Sequence, residues 1–287
     1  MLSFLNMKTH FECLPCTVNS YLRLADTGVI PAEKQEGLMR QLLAFLSEAD
    51  YNLSPPEMGA ELHRMIRKSL QNPDPYMKIK KKYNQQMLDQ YPTFREMVEQ
   101  SDTPFDTAMR LAIGGNVIDF GAKYLFDVME TIHSAMESEL AIDDSARLQK
   151  AVENAESLLY IGDNCGEIVL DKLFLENLDV SEKTFVVRGG PVINDITMDD
   201  ARMVGMEKVA RVVSTGDDSP GAVWERSSEE FRSLFNEADV VISKGQGNLE
   251  GLIEMKHDNL YYLLVTKCDL IAERISTQKG AFVVRKA

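Results

Sequence analysis

Four short runs of consecutive apolar residues in the second half of the chain constrain its fold more than any other feature. Helix-like segments separate these runs, such as EIVLDKLFLENL from residue 167 and AVWERSSEEFRSLF from residue 222. Strands that are apolar throughout and alternate with helices are typical of a parallel sheet covered on both faces. We therefore predict an α/β domain over residues 151–287, with a mostly parallel sheet. The predicted strands are SLLYIGDN from 157, KTFVVRGG from 183, ADVVISKG from 238 and LYYLLVTK from 260.

Residues 1–150 have the spacing of amphipathic helices instead. LMRQLLAFLSEA from residue 38 and MGAELHRMIRKSL from residue 58 repeat apolar residues every three or four positions. Further helices are expected after Pro104 and over 122–136. We predict no strand in this half, and we predict that the charged boundary at 140–155 is helical rather than a flexible linker.

Composition excludes several classes of protein. The chain carries 45 acidic and 31 basic residues, a formal charge of −14, which disfavours binding to nucleic acid phosphates. No apolar run approaches the roughly 20 residues that span a bilayer, so no membrane partner is expected. The 4 cysteines are too few for a disulfide scaffold, and the first residues do not form a secretory signal. We therefore predict a cytoplasmic protein, and the oligomeric state stays open.

Polar residues follow the first predicted strand, at the end where ligands gather in parallel sheets. Asp163 and Asn164 stand in the loop GDNCGE. Either could cap the following helix. The alternative is that the carboxylate and the amide oxygen bind Mg²⁺ or a similar cation, because such ions prefer oxygen ligands.

A second polar loop, RGGPVINDIT, follows the next predicted strand. Asp195 could cap a helix, or it could converge with Asp163 on one cation, since neighbouring parallel strands end at the same edge of a sheet. Arg188 could bind a phosphate or an acidic neighbour, or it could simply be a surface charge.

The third loop is SKGQGNLE, and it contains Lys244, Gly245 and Asn248. Glycines allow backbone N–H groups to approach an anion closely, and the lysine adds positive charge. The spacing does not match a Walker A loop.

In the helical half, Gly114 and Gly115 interrupt an apolar helix just before Asn116 and Asp119. Paired glycines in such a segment suggest a close approach by another element. Asn116 and Asp119 could then close a cleft against the α/β half.

The remaining polar groups have simpler interpretations. Cys13 and Cys16 form a CxxC sequence that could be a redox pair, a structural pair or buried packing. Cys165 is expected to be a packed small side chain. The lysines at 78–82 are expected to form a solvated helix face, and Asp218 a solvated turn.

Taken together, GDNCGE, INDIT, KGQGN and GGNVID resemble the damage-control phosphatases, a family of metal-dependent phosphatases long classed as a domain of unknown function. The resemblance covers nearly the whole chain, and the early CLPC is similar to the stand-alone archaeal and bacterial branch. It implies a helical N-terminal region on a Rossmann-like α/β domain. It also implies a divalent metal held by Asp163, Asn164 and Asp195, and a substrate phosphate bound by Lys244, with Asn116 and Asp119 contributing to the pocket.

These residues favour a phosphatase acting on small phosphorylated metabolites, such as sugar phosphates or damaged nucleotides, with Mg²⁺, Mn²⁺, Co²⁺ or Ni²⁺ as cofactor. A phosphomonoester carries about two negative charges near neutral pH, so an acidic cleft needs a cation to accept it. Either Asp163 attacks phosphorus to form an aspartyl-phosphate, or an activated water attacks directly. The alternatives are an S-adenosylmethionine-dependent carboxyl methyltransferase and a non-enzymatic nucleotide-binding module.

Overall fold

The N-terminal part of the chain is helical, as predicted. The structure, a computed structural model, describes residues 7–116 and 125–287. Helix α3 begins with a capping box, in which the Ser54 backbone N–H donates to the Glu57 carboxylate at 2.9 Å, and proline occupies its first position. The helices are α1 (Cys13–Asp26), α2 (Ala32–Ser47), α3 (Pro55–Leu70), α4 (Met77–Glu99), α5 (Pro104–Gly115) and α6 (Leu125–Glu137).

A seven-stranded sheet forms the second part, with strand order β1-β7-β6-β5-β2-β3-β4. Strands β6, β5, β2, β3 and β4 run parallel, whereas β7 runs antiparallel to β6 and parallel to β1. The strands are β1 (Leu140–Asp143), β2 (Ser157–Ile161), β3 (Glu182–Val187), β4 (Arg211–Ser214), β5 (Val240–Lys244), β6 (Leu260–Val265) and β7 (Phe282–Lys286). The helices between them are α7 (Ser145–Glu153), α8 (Glu167–Glu176), α9 (Met198–Val204), α10 (Glu229–Glu237), α11 (Gly245–Leu252) and α12 (Asp269–Arg274).

Both faces of the sheet are covered by helices, which confirms the predicted α/β class. On β2, Leu158 and Tyr160 lie in one apolar core with residues of α4, α5 and α8, while Leu159 and Ile161 lie in another with residues of α10, α11 and α12. Side chains alternate between the faces of a strand, so a strand that is apolar at every position is buried on both sides.

The expectation that residues 1–150 contain no strand is wrong. Strand β1 lies within that range and forms an edge of the sheet beside β7. The four residues of β1 are too few to show a period-two pattern, and their pairing partner lies at the other end of the sequence.

Two residues expected to be solvated, Lys80 and Asp218, are not, whereas Lys78, Lys81 and Lys82 are exposed as predicted. Lys80 is only 1% exposed, and its ammonium lies 2.5 Å from the Asp200 carboxylate at the start of α9. Asp218 is not a solvated turn residue, because it pairs with Arg64 and Arg67 of α3. These ion pairs join α4 to α9, and α3 to the loop after β4.

The N-terminal helices also have a core of their own, built from buried residues of α1, α2 and α3 such as Tyr21, Leu42 and Ile66. Among the described residues, no helix combines the length and the apolar character needed to cross a bilayer.

Candidate functional site

The polar loops predicted from the sequence meet at the carboxyl ends of β2, β3 and β5. Strands β2 and β5 are neighbours at the centre of the sheet, and the chain runs outward from them in opposite directions. Where the strand order reverses in this way, the loops on either side separate and leave a crevice, and ligands of open α/β sheets bind there.

Main-chain hydrogen bonds join the loop after β2 to the loop after β3. Cys165 N–H donates to the Asn194 carbonyl at 2.7 Å, and Ile196 N–H donates to the Asp163 carbonyl at 3.0 Å. Asn164 and Asp195 therefore form an isolated β-bridge. As a result, the two loops hold Asp163, Asn164 and Asp195 together, as the sequence predicts for residues that share one ligand.

Arg188 lies beneath the two aspartates and binds both. Its Nε donates to Asp195 Oδ2 at 2.7 Å, and its Nη2 lies 3.3 Å from Asp163 Oδ1. The side chain is fully buried. Of the three interpretations of Arg188, the structure shows the acidic neighbour, and burial contradicts the surface charge.

Two amide side chains cover the other edge of Asp163. Nδ2 of Asn116 and Nδ2 of Asn164 donate to Asp163 Oδ2 at 2.9 and 2.7 Å. Both amides also donate to Glu167, at 3.1 and 2.9 Å, so their donor ends point at carboxylates. Oδ1 of Asn116 is buried and has no hydrogen-bond partner in the described part of the protein. An orphaned acceptor beside two carboxylates fits a bound cation or a ligand donor.

Lys244 is fully buried and lies beneath Glu167, on the side away from the cleft. Its ammonium donates to Glu167 at 2.6 Å, to Asp171 at 2.7 Å and to the Ala112 carbonyl at 2.8 Å. Burial alone would lower the pKa of Lys244, but Asp171 and Glu167 more than offset this and hold it above its usual value. Three acceptors use all three donors of the ammonium, so Lys244 orients Glu167 and leaves no donor free for a phosphate.

Gly245 and Asn248 shape the loop after β5. Gly245 has φ +77°, and a Cβ atom there would overlap the Asp163 carboxylate. Nδ2 of Asn248 donates to the carbonyls of Gly162 and Lys244 at 3.0 and 2.6 Å, and its Oδ1 accepts from Ala222 N–H at 2.7 Å. Glycine is needed where the carboxylate approaches, and the Asn248 amide is bonded to backbone groups only.

The buried groups around Asp163 carry an uncompensated negative charge. Four carboxylates are buried there (Asp163, Glu167, Asp171, Asp195) with two cations (Arg188, Lys244), which gives a formal charge of −2 when all six are ionised. Burial raises the pKa of Asp171 to about 7, so the full charge develops only above neutral pH. Burial raises the pKa of Asp163, and Glu167 raises it further. Burial also raises the pKa of Asp195 to about 7, against the lowering effect of Arg188.

This charge and the donor atoms fit a divalent cation. Two carboxylates and the Asn164 amide oxygen are hard oxygen donors of the kind that Mg²⁺ and Mn²⁺ bind. No group of three or more His, Cys, Asp or Glu side chains in the described residues has metal-binding geometry. The predicted set contains only two such residues, and its third donor is an amide.

A cleft of about 730 Å³ opens above the aspartates, between α1 and α3 on one side and the strand ends on the other. Asn116, Asp163, Asn164 and Asp195 line its floor. Asp119 lies outside the described residues. Cys165 is buried in the core beneath the cleft, as predicted.

Lys267 and Glu250 also line the cleft, and the sequence analysis missed both. Lys267 follows β6, is exposed, and lowers the pKa of both Asp163 and Glu250 by its positive charge. Burial raises the pKa of Glu250 to about 7. The signal for Lys267 was its position as the final residue of the apolar run LYYLLVTK, at a strand end equivalent to that of Asp163.

Comparisons with known proteins assign the chain to a family and agree with its fold. Residues 9–283 match the family model described as the damage-control phosphatase ARMT1-like domain. The chain is 34% identical over 282 residues to damage-control phosphatase PH1575 of Pyrococcus horikoshii, with 96% of this chain and 97% of that protein covered. It is 30% identical over 235 residues to a damage-control phosphatase of Archaeoglobus fulgidus, covering 79% and 81% of the two chains.

A solved structure has the same fold over nearly the whole length. The crystal structure of a DUF89 family protein from Pyrococcus horikoshii superposes with a TM-score of 0.87 at 32% sequence identity. The superposition covers 98% of this chain and 99% of that chain.

Proposed function

The chain belongs to the damage-control phosphatase ARMT1-like family, and we propose that it is a metal-dependent hydrolase of small phosphomonoesters. Membership of this family supports a phosphatase role in metabolite repair. The observation that carries the metal dependence is the pair of buried carboxylates, Asp163 and Asp195, which main-chain bonds hold together among more buried acidic groups than basic ones. The substrate class we propose is that of sugar phosphates and damaged or excess nucleotides, and cytoplasmic localisation stays a prediction.

In this proposal, Asp163, Asn164 and Asp195 hold the divalent ion, which is Mg²⁺, Mn²⁺, Co²⁺ or Ni²⁺. When bound, the ion neutralises phosphoryl oxygens and stabilises the charge that develops in the transition state. Arg188 keeps the two carboxylates in position from below. Nδ2 of Asn164 donates hydrogen bonds to Asp163 and to Glu167. The amide oxygen Oδ1 of Asn164 therefore faces the other way and is available as a ligand.

We assign the substrate phosphate to Lys267 rather than to Lys244. Lys267 is an exposed cation on the cleft wall, whereas all three donors of the Lys244 ammonium are bonded to protein acceptors. A phosphate oxygen approaching Asp163 from the cleft would enter the field of Lys267, and a charge-assisted hydrogen bond to it would offset repulsion from the carboxylates.

A carboxyl methyltransferase is not favoured. S-adenosylmethionine would have to bind against the loop after β2, and that loop carries buried carboxylates rather than an open glycine-rich turn. The named relatives that match are phosphatases.

Hydrolysis of p-nitrophenyl phosphate by metal-free protein, with each of the four ions added separately, tests the function. We expect release of p-nitrophenol that depends on the added ion and stops with EDTA. Asp163→Asn and Asp195→Asn should each lower kcat/KM by 100-fold or more, in line with about 2.7 kcal/mol lost when one group that stabilises the transition state is removed. Lys267→Met should mainly raise KM.

Asp258→Asn is the matched control, because it makes the same chemical change at an exposed position away from the cleft. Calorimetric titration of each variant with Mn²⁺ separates loss of the ion from loss of chemistry. Full activity without any divalent ion, or normal turnover of Asp195→Asn, would contradict the proposal.

A further inference from the structure

Three of the four cysteines line the cleft, although they come from opposite ends of the sequence. Cys13 and Cys16 belong to the first turn of α1, and Cys268 directly follows Lys267 before α12. All three line the same cavity. Burial raises the pKa of the Cys13 thiol, and Glu250, Cys16 and Cys268, which line the same cavity, raise it further.

Cys13 and Cys16 have the spacing that a disulfide needs. They are three residues apart on one face of a helix, where Cα atoms lie about 5 Å from each other. Disulfides join residues with Cα separations of roughly 4.4–6.8 Å. The start of a helix can adjust to the closer Cβ approach, because its first N–H groups have no partners within the helix.

The exposure of the thiols differs in a way that assigns their roles. Cys16 is exposed, whereas Cys13 is half-buried. An external disulfide therefore reaches Cys16 first. Cys268 is also half-buried, and its sulfur already accepts from the Gln246 amide at 3.4 Å. Pairing with Cys268 would disturb that contact.

We propose that Cys13 and Cys16 form a reversible disulfide in the lining of the cleft, with a low-molecular-weight disulfide as the oxidant. The Cys16 thiolate attacks one sulfur of the oxidant, which forms a mixed disulfide and releases one small thiol. The Cys13 thiolate then attacks the Cys16 sulfur and releases the second small thiol. Both protein protons end on the released thiols, so two thiols are oxidised and one small disulfide is reduced. A disulfide that is exposed on one side exchanges readily, which makes the reaction reversible.

Mass spectrometry of the full chain tests this directly and does not depend on the proposed phosphatase activity. Reduced protein is equilibrated in buffers with different ratios of reduced to oxidised glutathione, quenched with acid, alkylated and digested. We expect the peptide that contains Cys13 and Cys16 to lose two hydrogens as the fraction of oxidised glutathione rises, and to regain them in excess reduced glutathione. Cys165 is an internal control, because its buried thiol should remain reduced throughout.

Three variants separate the steps. Cys13→Ser should accumulate a glutathione adduct on Cys16, because the resolving thiol is absent. Cys16→Ser should form its adduct on Cys13 at least ten-fold more slowly, because Cys13 is less exposed. Cys268→Ser is the matched control and should form the Cys13–Cys16 disulfide as the unmodified chain does.

Two results would overturn the proposal. One is a peptide in which Cys13 and Cys16 both remain alkylated at every glutathione ratio. The other is a bond from Cys16 to Cys268 in place of the bond to Cys13.

Discussion

At the scale of single residues, the site depends on charged side chains that are buried and paired. Arg188 binds Asp163 and Asp195, and Lys244 binds Glu167 and Asp171. Removing one partner of a buried ion pair leaves an uncompensated charge in a region that excludes water. The effect of each substitution therefore depends on what remains unpaired.

Lys244→Met should lower the free energy of unfolding by about 3–5 kcal/mol, because the buried Glu167 and Asp171 lose their counter-charge. Urea denaturation measures the change. Lys256→Met makes the same change at an exposed position and should leave stability within about 0.5 kcal/mol. The double variant Lys244→Met, Asp171→Asn should recover part of the loss, and a loss as large as in the single variant would contradict this pairing.

His63 should make stability depend on pH. Burial is the main reason that the pKa of His63 falls from 6.5 to about 3, so the folded protein keeps the ring neutral while the unfolded chain binds a proton below pH 6.5. The free energy of unfolding therefore has its full value, as far as His63 is concerned, above pH 6.5. It decreases by about 1.4 kcal/mol per pH unit as the pH falls from 6.5 towards 3.

Urea denaturation of His63→Asn at pH 7 and pH 5 checks this expectation. The decrease in unfolding free energy between the two values should be about 2 kcal/mol smaller in the variant than in the unmodified protein. Tyr76→Phe removes the hydroxyl that lies 2.6 Å from His63 Nδ1 but keeps the imidazole. It should lower stability at both pH values and retain the pH dependence.

At the scale of elements, the loops at the strand ends position the site residues as much as the strands do. The strand β5 and the helix α11 meet at Gly245, where a positive φ and the Asp163 carboxylate both require the absence of a side chain. This junction is where the sheet and the floor of the cleft are fixed relative to each other.

Gly245→Ala should therefore be far more damaging than Gly280→Ala. Both glycines have similar positive φ values, +77° and +82°, so alanine brings about 1–2 kcal/mol of backbone strain at either position. Only at Gly245 does the added methyl group overlap Asp163, since nothing lies within 4 Å at Gly280. We expect Gly245→Ala to lose Mn²⁺ binding in calorimetry. Equal effects of the two substitutions on Mn²⁺ binding would contradict this account.

Patterns in the sequence predict the strands β2, β3, β5 and β6, and they place Asp163 and Asp195 at one edge of the sheet. These features are local, because burial on both faces and the strand ends are both visible in short windows. Patterns do not predict that Lys80 pairs with Asp200 or that Asp218 pairs with Arg64, because the partners lie more than a hundred residues apart. The role of Lys244 is hidden for the same reason, since Ala112 and Asp171 come from two other helices.

At the scale of the whole molecule, the cleft lies between helices with an apolar core of their own, α1 to α3, and the sheet, whose core includes residues of α4 and α5. The helices α1 and α3 form one wall, and the loops at the strand ends form the other. The ion pairs of Arg64 and Arg67 with Asp218 hold α3 against the sheet part. A ligand that binds the folded protein and not the unfolded chain stabilises the folded state.

Mn²⁺ should consequently raise the thermal stability of metal-free protein. Binding at a hundred times the dissociation constant adds about 2.7 kcal/mol to the free energy of unfolding. Differential scanning calorimetry with Mn²⁺, and then with excess EDTA, measures the shift and its reversal. Asp195→Asn should show no shift, and an equal shift in that variant would place the ion elsewhere.

The main-chain bridge between Asn164 and Asp195 has a consequence for which ion the proposed metal site would accept. Backbone hydrogen bonds set the positions of the two loops. The proposed ligands Asp163, Asn164 and Asp195 are therefore brought together during folding, before any ion binds. A rigid set of ligands suits ions such as Mg²⁺, which require regular coordination with metal–oxygen distances of about 2.0–2.1 Å. It disfavours larger ions such as Ca²⁺, whose metal–oxygen distances are about 2.3–2.6 Å and which bind in adaptable sites. Ionic radius, rather than affinity for oxygen alone, then becomes the basis of selection.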